Sequence, residues 1–136
     1  MRFKLLSLML LSSLSFAQTA PTAGPSLKAT MDQISSVVKT LTANLNDPSK
    51  NADSAKLADQ LVTLFTTAQG QTPTSVGKLA DDQKATAVQG FQSLIQKEID
   101  DAKALKSAFD SNNNTQAGTI LQDMNTLKSQ GHSTYR

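Results

Sequence analysis

With one histidine, one glutamate and no cysteine, this chain of 136 residues has few ways to do chemistry. It has no G-x-S-x-G elbow, no glycine-rich phosphate loop and no H-E-x-x-H pair. A thiol nucleophile, a cysteine-ligated zinc, an iron–sulfur cluster and a thioether-linked haem are all excluded. The acidic pairs Asp81-Asp82 and Asp100-Asp101 are sequence neighbours. Adjacent helical positions diverge by about 100°, so neither pair makes a two-carboxylate site by itself; both read as solvated helix faces. What remains is ligand chemistry. His132 offers a neutral imidazole, and Met31 and Met124 offer thioethers. Methionine with histidine is one axial pair for haem iron. Each residue also has a plainer reading. His132 suits the negative end of a helix, and Met31 suits an ordinary core position.

The elements that would position these residues follow from hydrophobic periodicity. Leu27, Met31, Ile34, Val38, Leu41 and Leu45 recur in alternating steps of four and three, which predicts an amphipathic first helix. It stops at Asn46-Asp47-Pro48-Ser49, where the proline opposes continuation. A second helix is expected from about Ser54 to Ala68, with Leu57, Leu61, Leu64, Phe65 and Ala68 on one face. Gly70 and Pro73 end it, and residues 70–80 read as a long loop. A third helix is expected from about Asp82 to Phe109. Its face carries Val88, Phe91, Ile95, Ala102, Leu105 and Phe109, with Ile99 adjacent. Asn112-Asn113-Asn114 reads as a turn. Thr115 is the expected cap of a fourth helix carrying Ala117, Ile120, Leu121, Met124 and Leu127. No strand pattern occurs. The fold class is therefore all-α: an antiparallel up-down-up-down four-helix bundle, with short connections and shallow packing angles.

In that topology the start of helix one lies beside the end of helix four, which brings Met31 near His132. Met124 is on the same helix as His132, about 12 Å away by helical rise. Two residues so placed do not reach one iron from opposite faces. A Met–His haem site, if the chain has one, would therefore use Met31, although the periodicity explains Met31 equally well as core.

The N-terminal region sets the expected compartment. Arg2 and Lys4 give a positive start, Leu5 to Phe16 is an apolar run broken only by serines, and Ser15 and Ala17 precede Gln18. This is the three-part pattern of a secretory signal peptide over residues 1–17, with cleavage expected after Ala17. The apolar run of about 12 residues is short of the roughly 20 that span a bilayer. Residues 18–25, QTAPTAGP, read as a flexible linker, with Ser26 as a helix N-cap and one domain over 26–136. Processing would leave 119 of the 136 residues, enough for a single core. The full chain has 13 Lys+Arg and 11 Asp+Glu; Arg2 and Lys4 leave with the signal, giving 11 of each and formal net charge 0. The expectations are a soluble periplasmic protein, no nucleic-acid partner, no stable membrane association and no steering field that names a partner.

The run His132-Ser133-Thr134-Tyr135-Arg136 resembles the H-x-x-Tyr/Phe-Arg close of the cytochrome b562 and cytochrome c-prime bundles. Further similarities follow in order over residues 26–136. Leu27, Met31 and Ile34 are similar to the family's opening helix, with Met31 at its sixth-ligand methionine. Pro73 falls in the same long loop. Gly90-Phe91 resembles a haem-packing segment, and Ile99-Asp100-Asp101-Ala102 continues it. The resemblance implies a cytochrome that transfers single electrons and is not an enzyme. Met31 and His132 would be the axial ligands, with Ile34 and Phe91 lining the haem. Lys128 and Gly131 stand where c-prime members carry two cysteines, so a noncovalent haem b is implied. Gly131 is also expected to loosen its helical turn by about 1 kcal/mol relative to alanine. Two other readings stand beside this one: a haem-free bundle of the same family serving as a structural or protein-binding module, and a five-coordinate gas-binding haem protein with His132 as sole protein ligand. The redox partner protein is not named by the sequence.

Overall fold

The computed structural model describes residues 24–135. The expected signal peptide, its cleavage site and most of the linker lie outside the described residues. Four long helices and one short one follow in order: α1 (Leu27–Asn44), α2 (Asn51–Gln69), α3 (Thr74–Gly77), α4 (Asp81–Asp110) and α5 (Asn114–Tyr135). Among the described residues there is no strand. The long helices form the all-α four-helix bundle that the periodicity predicts, and cross-links between elements fix the up-down-up-down course. Gln71, just after α2, bonds to the carbonyl of Pro25 before α1. Gln69 at the end of α2 reaches the carbonyl of Gln92 in the first half of α4 (3.1 Å). Asn114 at the start of α5 donates to the carbonyl of Leu45 just past α1 (2.7 Å).

Local chemistry moves several boundaries. Pro48 opens a 3₁₀ turn, Pro48–Lys50, capped by Asp47, whose carboxylate accepts from the Ser49 N–H (3.1 Å). That turn feeds straight into α2, which therefore starts at Asn51 rather than near Ser54. The segment expected as an uninterrupted loop contains α3, started by Pro73 and anchored by Val76, which is buried. The cap of α5 is Asn113, not Thr115: its side-chain oxygen accepts from the N–H of Gln116 (3.1 Å). Asn112 before it takes the left-handed conformation, φ 55°, which asparagine tolerates better than most residues.

The core runs the length of the bundle. Leu41, Leu61 and Leu105 are fully buried, and Ile95 and Leu121 nearly so. α2 and α4 make the most extensive interface. The buried stripe of α2 is Ser54, Ala55, Ala58, Leu61, Phe65 and Ala68, while Leu57 and Leu64 are only half-buried. Small side chains toward α4 let the two backbones come close and turn the bulkier leucines toward the flanks. Ala102 and Ala108 of α4 serve the same close approach. By contrast, α1 and α5 share few close positions.

Candidate functional site

The sparse approach of α1 and α5 leaves a partly open cleft of about 100 Å³ at one end of the bundle. Small-molecule sites run to about 300 to 1,000 Å³, so a ligand of that size would have to part α1 and α5 further. α1 contributes Leu27 and Met31, and Pro73 closes one edge. α4 contributes Phe91, Leu94, Ile95 and Glu98, and α5 contributes Leu127, Lys128, Gly131, His132 and Tyr135. Three of the four residues singled out by sequence, Met31, Phe91 and His132, thus line one space. The fourth, Ile34, lies in an adjoining space of about 20 Å³, which it shares with Phe65 and Met124. Met31, Glu98 and Lys128 border both spaces.

Helical register explains the assembly. Met31 and Ile34 are three apart on α1, and Phe91, Ile95 and Glu98 follow in steps of four and three on α4. Lys128 and His132 are four apart on α5, on one face. Met31 is half-buried, Phe91 is buried, and His132 is on the exposed side of the cleft. The walls are mostly apolar, so a ligand there would be held chiefly by burial of its own apolar surface.

Glu98 is the residue that the sequence reading missed. It is only 4% exposed, and its Oε2 has no hydrogen-bond partner among the described residues. Burial pushes its carboxyl up to about 8, the like charge of Asp101 adds to the rise, and Lys128 on α5 opposes it. Asp101 is itself raised by burial and by the charges of Asp123 and Asp100. The sequence did carry a signal. Phe91, Ile95, Glu98, Ala102, Leu105 and Phe109 step by 4, 3, 4, 3, 4, so the stripe of core positions passes directly through the chain's one glutamate.

Gly131 does not act as the sequence leads one to expect. A methyl group added there would meet Leu94 Cδ2 at 3.0 Å. The missing side chain is used for a close approach of α5 to α4 beside His132, which offsets the helical propensity lost at this turn. At Gly90 an added methyl would meet the Tyr135 hydroxyl at 2.6 Å, and the Tyr135 ring stands edge-to-face on Phe91 (5.4 Å, 76°).

The donor set fits a haem. A thioether on α1 and an imidazole on α5 border one apolar space, with a lysine at its rim to face acidic groups. No cluster of three or more His, Cys, Asp or Glu residues that could hold a bare metal ion occurs among the described residues. No helix among them is long and apolar enough to cross a membrane. No curated protein and no solved structure matches the chain. The family model described as cytochrome b562 matches residues 26–136. By that match, which spans the whole bundle, the chain belongs to the cytochrome b562 family.

Proposed function

We propose that the protein is an exported periplasmic electron carrier that binds one noncovalent haem b, with Met31 and His132 as the axial ligands. The observation that carries this reading is the shared cleft: the chain's one histidine and one of its methionines border the same apolar space, from two helices that barely meet. Family membership supports haem binding and electron transfer. The signal-like residues 1–17 support export.

When bound, haem supplies the one-electron couple; the protein's part is to hold it, exclude water and set its potential. Met31 lies in the first half of α1 and His132 in the last turn of α5, so each of the two helices would supply one ligand. Phe91, Leu94 and Ile95 supply the apolar floor from α4, and Ile34 lines the adjoining space. Thioether ligation raises the potential. Two protein ligands leave no iron position for a substrate, which makes this a carrier rather than an enzyme. With Lys128 and Gly131 in place of cysteines, the haem stays noncovalent.

Absorption spectra of the periplasmically expressed protein, oxidised and reduced, test the reading. Sharp low-spin bands of a b-type haem are expected. A high-spin spectrum would shift the reading to five-coordinate gas binding, and no Soret band after added haem would leave a haem-free bundle.

A further inference from the structure

The last turn of a helix is its weakest part. Its carbonyls have no helical partners, and it frays unless something outside the helix holds it. His132 lies in such a turn, three residues before the end of α5. A ligand on a fraying turn would lose the geometry that fixes its affinity.

Three ties hold this turn. Ser75 of α3 donates its hydroxyl to the carbonyl of Tyr135 (3.0 Å), giving a terminal carbonyl the partner it lacks. The Tyr135 ring packs edge-to-face on Phe91. Its hydroxyl end occupies the notch left by Gly90, where an added Cβ would sit 2.6 Å away. Tyr135 and His132 are three apart on one helix, so they share a face, and holding Tyr135 holds the helical turn that carries His132. The short helix α3, anchored by the buried Val76, presents Ser75 to this turn.

We infer that Ser75, Gly90 and Tyr135 form a latch that sets the register of the last turn of α5 and so holds the His132 imidazole in the cleft. As a statement about iron ligation, it rests on the haem reading above. Tyr135, Ser75 and Gly90 act through His132 and are positioning residues. The ring of Tyr135 packs on Phe91, and its hydroxyl oxygen is the atom that lies in the notch.

The test combines a haem-free readout with a haem-bound one. In the haem-free full-length protein, amide hydrogen exchange in residues 131–135 should rise about tenfold in Tyr135→Ala and in Ser75→Ala, while exchange in α2 stays unchanged. Tyr135→Phe, which keeps the ring on Phe91 but empties the notch, should fall between wild type and Tyr135→Ala. Gly90→Ala should eject the ring, raising acrylamide quenching of Tyr135, the chain's one tyrosine in the absence of tryptophan. On haem addition, Tyr135→Ala and Ser75→Ala should weaken affinity by about tenfold and lower the low-spin fraction, with Tyr135→Phe rescuing both in part. Exchange rates in Tyr135→Ala and Ser75→Ala equal to wild type would overturn the latch, even if haem binds normally. Faster exchange in a protein whose wild type takes up no haem would leave the latch standing and sink the haem reading.

Discussion

The two ends of the bundle solve opposite problems. At the end where α1 runs into α2 and α4 into α5, three asparagines tie the elements together, and the buried Ser54 hydroxyl one turn on is left without a partner among the described residues. The Asn51 amide donates to Asn112 (3.0 Å) and Asn114 (2.8 Å), and Asn114 returns a bond to Asn51 (3.0 Å) while also holding the Leu45 carbonyl. Here the chain just past α1 meets α5: a methyl added at Gly118 would lie 3.2 Å from Leu45. At the other end the same two helices part around the cleft, a glutamate is buried without a partner for one oxygen, and His132 is exposed. The tied end lets the open end exist. A pair of helices knotted at one end can be wedged apart at the other without the bundle losing its course. Unsatisfied polarity and open volume cost stability and mark the place where a ligand would restore it.

The largest expected effects are at the open end. His132→Ala should weaken haem binding by more than the about 10- to 100-fold that loss of a supporting residue costs. Met31→Ala should retain haem but turn a low-spin spectrum high-spin and lower the potential. Met124→Ala should leave the iron spectrum unchanged, because Met124 borders only the adjoining space. Spectra and potentiometry of the three variants check this. If Met124→Ala changed the spin state and Met31→Ala did not, the assignment of the open end would be wrong.

A core truncation should affect both ends together. Leu61 is fully buried at the middle of α2, against the bundle's most extensive interface. Leu61→Ala should cost about 2 to 5 kcal/mol in denaturant unfolding of the haem-free protein. A cost below about 0.5 kcal/mol would mean that the two ends are not joined by a continuous core.

Much of this was legible in advance, for a reason particular residues make plain. Stripes such as Leu27, Met31, Ile34 and Leu41 need only a period of 3.6 to be seen, and Pro48, Pro73 and Asn112-Asn113-Asn114 mark their own breaks. That Met31 and His132 border one cleft follows from topology, because an antiparallel bundle places the two helix ends together. What stayed hidden depends on contacts distant in sequence or on polar residues inside apolar stripes. Glu98 sits in register but was passed over because a charge normally points outward. Gly131 looked like a weak point because propensity is a property of one helix, whereas its use requires Leu94 from another. The turn α3 is four residues long, too short to show a period.

Glu98 gives the open end a pH signature. Its folded value of about 8 exceeds its ordinary value of 4.5, so between these values the folded state holds a proton that the unfolded state has released. The stabilising contribution is full below pH 4.5 and is lost as pH rises through 8. The haem-free protein should therefore lose stability from pH 5 to pH 9. Glu98→Gln should flatten that slope and stabilise the protein at pH 9 by more than the about 1 to 3 kcal/mol that a stranded neutral group costs. Unfolding curves at pH 5, 7 and 9 decide it, and an unchanged slope in the variant would place the titration elsewhere.

The smallest effect sought is at the tied end, where it separates the two regions most cleanly. Asn114→Ala removes a donor and an acceptor together, leaving the Leu45 carbonyl without its bond and the Asn51 amide with one partner fewer. Asn51 is 3% exposed, so water does not readily replace what is lost. The cost should be about 1 to 3 kcal/mol. Because Asn114 begins α5 and His132 lies in its last turn, 18 residues and about 27 Å apart by helical rise, the loss should not reach the cleft. The expected outcome is a lower unfolding midpoint with an unchanged haem spectrum and unchanged exchange in residues 131–135. A spectral change would mean that the knot transmits strain along α5, and that the two ends form one coupled device rather than a support and a site.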